Sequence, residues 1–246
     1  MIKAHLRFES RIGNQLFQYA VTRSVAERNG YNFYADPTYW LGGDMIKVDH
    51  GKDDGKIQYT WEDTPNQEFN PEVFAVKDFT LLKGYFQSEK YFKREDVKKW
   101  FQINYPQSAY DFMKHYPVSD YCYINVRGTD QAQFSHLILP EIYYTKAIAT
   151  MLHFNDKLKF LVITDDEPLA RSKFPNFPVF SNDRDTDFCL LNAAKFVIGA
   201  QSTFFWWAAY LNDFNIVIAP VRWFHYHYPD LGYGPADIHT NKFIWL

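Results

Sequence analysis

Basic excess is missing from this chain of 246 residues: 26 Lys and Arg stand against 29 Asp and Glu, for a net charge of −3. Without a cationic surplus to neutralise phosphates, nucleic acid is excluded as an expected partner. Cysteine is scarce too. Cys122 lies within the apolar run YCYINV and Cys189 within DFCLLN, which excludes a disulfide framework and predicts two small buried core residues in a reducing, cytoplasmic setting. No Asn-x-Ser/Thr acceptor occurs, in keeping with that setting. Long apolar runs are also lacking. The longest uncharged stretch, Phe196 to Asn212, includes Gln, Ser, Thr and Asn, and falls short of the roughly 20 apolar residues a membrane span needs. The start, MIKAHLRF, alternates like a strand instead of showing a basic-then-apolar leader, so neither anchor nor signal peptide is expected.

What is abundant is aromatic: 18 Tyr, 23 Phe and 7 Trp, able to fill a core and to stack on nucleobases or sugars. Residues 2–8 read as a strand, 9–13 as a glycine-bearing loop and 14–29 as a helix closed by Asn29-Gly30. A short strand at 33–35 follows, then loops with short strands over 36–72, a buried strand at 79–86 and a helix over 89–101. The stretch 104–119, with proline near both ends, is the expected link between domains of residues 1–110 and 111–246. Beyond it, strands at 121–126, 159–164, 195–199 and 214–219 alternate with helices near 140–153, 167–173, 185–194 and 203–212. That alternation predicts an α/β protein with a parallel sheet wound on both faces. Two Rossmann-like halves would leave a cleft, with ligands at the carboxyl ends of the strands.

The loops after those strands therefore carry the candidate chemistry. Within Asn125 to Asp130, Arg127 can offer a bidentate fork to a diphosphate and Asp130 can orient it, although an Arg-Asp pair also closes loops. Asp165 and Asp166 can accept hydrogen bonds from ribose or guanine, or simply cap the next helix. Gln201, Ser202, Thr203 and Phe204 open a helix whose N–H groups suit phosphate, with Trp206 and Trp207 read as core. Ser10 to Gln15 place Gly13 at a turn with Asn14 and Gln15 at a helix start, a pattern that plain Asn capping also gives. Asp183-Arg184-Asp185 offers a rival Asp-x-Asp metal pair, set in a loop that reads as solvated. His225, His227 and His239 lack further ligands at zinc spacing and read as structural or surface residues.

In order along the chain, RIGNQLFQYA at 11–20, GYFQSEKYF at 84–92, LPEIYYTKAI at 139–148, TDDEPLAR at 164–171, Asp187 within DFCLLNAAKFVI, and QSTFFWWAAYL at 201–211 resemble the signature blocks of the α1,2-fucosyltransferase family (glycosyltransferase family 11). NVRGTD is similar to the His-x-Arg-Arg-(Gly or Thr)-Asp motif shared with α1,6- and protein O-fucosyltransferases. Arg127, Thr129 and Asp130 match it, whereas Asn125 stands for the His and Gly128 for the second Arg. The resemblance implies a GT-B-like fold of two Rossmann-like domains, the first on the acceptor side and the second binding the GDP-sugar. It implies an inverting transfer of a 6-deoxyhexose, fucose first and rhamnose as alternative, to a glycan hydroxyl, with no metal and no other cofactor. Arg127 would stabilise the departing diphosphate, Asp165 or Asp166 would hold guanine or ribose, and Gly13, Asn14 and Gln15 would approach the diphosphate and sugar. Asp130 and Glu89 are the candidate bases. The replaced His and Arg leave a non-catalytic sugar-nucleotide binder or a GDP-sugar hydrolase as alternatives.

Overall fold

The computed structural model describes residues 1–6, 11–64, 67–128, 138–223 and 237–246. Within these residues the chain forms two compact units. The first holds Met1–Asn104 and the short stretch 237–239, and the second runs from Tyr105 onward and takes in Thr240–Leu246.

Unit 1 contains β1 (Ile2–Ala4), α1 (Ile12–Asn29), β2 (Phe33–Tyr34), β3 (Ile46–Lys47), β4 (Tyr59–Glu62), β5 (Thr80–Lys83), α2 (Arg94–Trp100) and β6 (Gln102–Ile103). Its main sheet runs β2-β1-β5-β4, parallel throughout. Helix α1 is buried on nearly all sides, with Leu16, Phe17, Tyr19, Ala20, Val21 and Val25 fully covered. It stops at Gly30, whose φ of 68° lets its N–H reach Ala26 O and Glu27 O, the left-handed closure that Asn29-Gly30 predicts. Because so much of its surface faces protein, its polar side chains bond neighbouring loops. Tyr19 Oη donates to Asp49 O at 2.7 Å, Gln18 Nε2 to Gly84 O at 2.9 Å and Asn29 Nδ2 to Phe74 O at 3.1 Å. The first of these bonds reaches the weakly patterned stretch 36–72, at Asp49. Asp237 attaches the short C-terminal stretch to the same unit, accepting from Phe69 N at 2.7 Å and pairing with Lys90.

Unit 2 contains α3 (Gln107–His115), β7 (Tyr121–Val126), α4 (Glu141–Phe154), β8 (Lys159–Thr164), α5 (Glu167–Lys173), β9 (Val179–Phe180), α6 (Arg184–Ala193), β10 (Phe196–Ile198), α7 (Thr203–Tyr210), β11 (Ile216–Ala219) and β12 (Ile244–Trp245). Its sheet runs β12-β11-β10-β7-β8-β9, again all parallel. Both cysteines are buried and neither is in a disulfide, as the sequence predicts. The expected linker is corrected: 107–115 is helical, because Pro106 precedes the first turn, where a missing N–H costs nothing. Its Phe112 ring packs edge-on against Phe180 at 4.8 Å and against Tyr123 at 6.2 Å. The helix expected over 89–101 is likewise split into a Ser88-capped 3₁₀ turn and α2.

Side chains alternate across β7. Cys122, Ile124 and Val126 join α4 residues Tyr143, Tyr144, Ala147 and Met151 in one core, so Tyr123, Asn125 and the following Arg127 belong to the opposite face. On that second face α3 meets α6 through the hydroxyls of Ser108 and Thr186, 2.5 Å apart. At Gly199 a Cβ would lie 1.9 Å from the Phe205 ring, so only glycine lets α7 pack this closely on the end of β10.

Candidate functional site

At the carboxyl ends of β7 and β8 the register pairs Val126 with Thr164, which brings the next residues, Arg127 and Asp165, side by side. Arg127 Nη1 lies 3.6 Å from Asp165 Oδ2, with the arginine side chain 14% exposed. Asp165 Oδ1 accepts from Gly128 N at 2.8 Å. One carboxylate thus accepts a hydrogen bond from the backbone of the loop and forms an ion pair with the loop's guanidinium, at a distance longer than a hydrogen bond. Its neighbour does something else: Asp166 Oδ1 accepts from Leu169 N at 3.1 Å and caps α5. The TDDE segment therefore divides into one residue on Arg127 and one cap. Asp166 also accounts for Gly128. A Cβ at position 128 would lie 2.3 Å from Asp166 Cβ, so the second arginine of the fucosyltransferase motif would have to displace the α5 cap. Asn125 is buried, with Nδ2 3.4 Å from Ile163 O and with Oδ1 making no hydrogen bond among the described residues.

Asp187 reaches this region from the first turn of α6. It is 9% exposed and accepts from Asn182 Nδ2 at 2.8 Å. Burial pushes its carboxyl up to about 7; the hydrogen bonds from Asn182 oppose the rise, and the charges of Asp183 and Asp165 add to it. Asp183 is the N-cap of α6, accepting from Asp185 N at 3.1 Å, Thr186 N at 2.9 Å and Thr186 Oγ1 at 2.6 Å. Asp185 pairs with Arg184 at 2.7 Å. The two carboxylates of the Asp-x-Asp motif are thus engaged separately, and among the described residues no three or more His, Cys, Asp or Glu cluster as metal ligands.

Ser202 is the N-cap of α7 by its extended backbone, yet its side chain makes no capping hydrogen bond. Thr203 begins the helix, Phe204 sets its ring edge-on to Phe188 at 5.2 Å, and Gln201 Nε2 donates to Arg222 O at 2.9 Å. Trp206 and Trp207 are fully buried core residues, as expected.

In unit 1, α1 begins at Ile12 with Arg11 as N-cap and no capping side chain, which corrects the reading of Asn14 as the cap. Asn14 instead sits in the first turn and its Oδ1 accepts from Gln87 Nε2 at 2.9 Å. Gly13 is buried beside it. Gln15 is fully buried, donating to Tyr39 O at 2.7 Å and accepting from Leu41 N at 2.8 Å, so its amide holds the 39–41 segment. Ser10, Thr129, Asp130, His225 and His227 lie outside the described residues. The sequence does not pair Asp165 with Arg127, since the signal for it is cross-strand register, nor does it give Gln87 a role, although that residue lies within GYFQSEKYF.

Two α/β units, each built on a parallel sheet, define the GT-B-like fold of fucosyltransferases. Solved structures with this fold include the NodZ α-1,6-fucosyltransferase soaked with GDP-fucose, at TM-score 0.53 and 12% identity over 86% of this chain and 92% of that one. POFUT1 in complex with GDP matches at TM-score 0.51 and 10% identity over 89% and 97%. In sequence, the chain is 29% identical to an α-1,2-colitosyltransferase of Escherichia coli over 61% of this chain and 58% of the relative. It is 36% identical to the O-antigen biosynthesis glycosyltransferase WbnK of Escherichia coli over 36% of this chain and 32% of the relative. The chain thus spans less than two thirds of either relative's length. No family model matches. These likenesses bear out the fucosyltransferase-like resemblance drawn from the motifs. Among the described residues, no helix is long and apolar enough to cross a membrane.

Proposed function

We propose that the protein is an inverting, metal-independent glycosyltransferase that moves a 6-deoxyhexose from a GDP-sugar to a glycan hydroxyl. The observation that carries this reading is Arg127, largely buried and paired with Asp165 at the carboxyl end of a strand central to its sheet. In such a displacement the acceptor oxygen bonds to the anomeric carbon as the bond to the β-phosphate oxygen breaks. Negative charge grows on the diphosphate, and a preorganised guanidinium stabilises that charge where other transferases use a metal ion. The first turn of α7 adds backbone N–H groups suited to a phosphate. Asp187 is assigned to the nucleobase, whose N–H donors favour its ionised form. The relatives' names support glycosyl transfer, and the GDP and GDP-fucose of the two solved structures support a GDP-linked donor. Fucose is the first donor to test, with colitose and rhamnose next.

The test is a thermal-shift panel with GDP, UDP and GDP-sugars, with and without chelator, followed by a transfer assay. A ligand at about 100 times its Kd stabilises by roughly 2.7 kcal/mol. GDP is expected to raise the melting temperature, UDP to do little, and chelator to change nothing. Equal shifts from UDP would overturn the guanine assignment, dependence on added divalent ion would overturn the metal-free mechanism, and GDP binding without transfer would mark a binding protein.

A further inference from the structure

Unit 2 carries a second strand-end arginine that the site described so far leaves unused. Rows of paired residues run across its sheet, and Ile124 of β7, Ile198 of β10 and Ile218 of β11 form one of them. Three residues past that row stand Arg127, Gln201 and Val221, with Arg222 next. The loop bearing Arg222 is fixed from several directions. Gln201, 1% exposed, donates Nε2 to Arg222 O at 2.9 Å. Val221 N donates to Leu246 O at 2.7 Å, and Trp223 is buried, its ring 6.4 Å from that of Trp245. The Arg222 side chain, by contrast, is exposed and pairs with no carboxylate among the described residues. Between the two arginines lies the start of α7. Ser202 is 6% exposed, yet its Oγ makes no hydrogen bond to a described residue, and the first-turn N–H groups of a helix lack intrahelical partners. Neighbouring strands lie about 4.8 Å apart, so the ends of β7 and β11, with β10 between, are roughly 10 Å from each other. Two arginine side chains and a diphosphate together bridge that span. The remaining charge is largely negative: Asp165 pairs with Arg127, Asp166 and Asp183 cap helices, and Asp185 pairs with Arg184. A diphosphate set among these carboxylates needs more cation than a paired Arg127 offers.

We infer that Arg222 is a second binding residue for the donor's diphosphate. From another strand end it brings the charge that an arginine at position 128 would supply and that Asp166 excludes there. This rests on the GDP-sugar reading above. The sheet order sets the direction of the ligand. Asp187 belongs to the helix that leaves β9 at one edge, and Arg222 follows β11 toward the other. The nucleobase therefore lies on the side of β8 and β9, and the diphosphate runs from Arg127 past Ser202 to Arg222. Every group in this path belongs to unit 2. A guanidinium offers such an anion a forked, permanently charged donor set.

Inorganic pyrophosphate is the probe, because it carries the charge without the base. In calorimetric titrations Arg222→Ala is expected to weaken pyrophosphate and GDP alike, by roughly tenfold or more, while guanosine binds within about twofold of the parent. Arg222→Lys should recover only part of the loss, since the planar fork is gone. Lys195→Ala removes the same charge from an exposed residue at the amino end of β10 and should leave both anions unaffected. Because Arg222 is exposed, its variants are expected to melt with the parent, so that affinity and not folding is what changes. Unchanged pyrophosphate affinity in Arg222→Ala would overturn the inference. So would an equal loss in Lys195→Ala, the mark of a diffuse charge effect. The donor reading fails differently. A parent that binds GDP and UDP equally, or transfers no sugar, refutes the guanine or transferase assignment, whereas pyrophosphate binding that depends on Arg222 upholds the inference in either case.

Discussion

The two units solve the problem of holding polar groups in place by different means. In unit 2 the whole of β7 pairs with the whole of β8, six residues each, and Arg127 and Asp165 simply continue that register. In unit 1, β1 pairs with β2 through two residues and with β5 through three, ladders at most half as long. Asn14, Gln15 and Gln87 are placed instead by side-chain hydrogen bonds to distant segments. A site hung on paired strands inherits their rigidity, whereas one hung on buried amides depends on each bond separately. Substitutions in unit 2 should therefore change chemistry first, and those in unit 1 stability first.

The largest effect should fall on Arg127. Arg127→Ala is expected to lower kcat/KM by on the order of 10²–10³ through lost stabilisation of the leaving diphosphate, with a melting temperature near that of the parent, because the β7–β8 ladder does not depend on it. Arg127→Lys should restore little, since a point charge lacks the fork. A GDP-release assay beside a thermal melt checks both, and full activity in either variant would remove Arg127 from the mechanism.

Gln15→Ala sharpens the contrast from the other side. It removes the partner of Tyr39 O and of Leu41 N and opens a cavity, for an expected loss of about 3 kcal/mol in urea unfolding. Hydrogen exchange should quicken around 39–41 while β7 and β8 amides stay protected. Uniform loss of protection through both units would show that the two do not respond separately.

Unit 2 has one site where stability and chemistry pull apart. Asp187, its carboxyl raised to about 7, keeps its proton in the folded state over a range where the unfolded chain, near 3.8, has released it. The folded state therefore binds more protons, and stability falls as pH rises from about 4 to about 7, then levels off. Asp187→Asn should abolish that slope, gaining on the order of 4 kcal/mol at pH 8 and nothing near pH 4. GDP binding should show the opposite sign: nucleobase donors select the carboxylate, so parent affinity strengthens as pH rises through about 7, and the variant binds weakly at every pH. A flat stability profile in the parent would show that the raised carboxyl is wrong.

The same contrast governs what could be read from the sequence. The longer unit 2 strands are continuous apolar runs bounded by helices, so their extents stand within a residue or two of expectation, and the loop at each carboxyl end could be located. Two-residue β9 and β12 were not, since neither VF nor IW carries periodicity. In α1 the burial of nearly every face explains why its start was misread: with apolar and amide residues alternating on all sides, Asn14 looked like a cap. Gln15 and Gln87 lie within recognisable motifs, but what an amide bonds to 24 or 73 residues away leaves no trace in local pattern. Asp166 was legible as a cap, and its twin Asp165 was not separable from it until the register put it beside Arg127.

Gly128 tests the smallest and most local consequence. Its missing side chain is explained by Asp166 Cβ, 2.3 Å from where a Cβ would stand, and Asp166 in turn holds Leu169 N. Gly128→Ala must push one of the two aside. Moving Asp166 uncaps α5, and moving the loop draws Gly128 N away from Asp165, so the cost should be about 1–2 kcal/mol either way. The two routes separate by observation: faster exchange at Leu169 N with turnover kept means the cap gave way, while reduced turnover with Leu169 N still protected means the Arg127 loop moved. An alanine variant with parent stability, turnover and exchange would show that Asp166 is not what keeps position 128 bare.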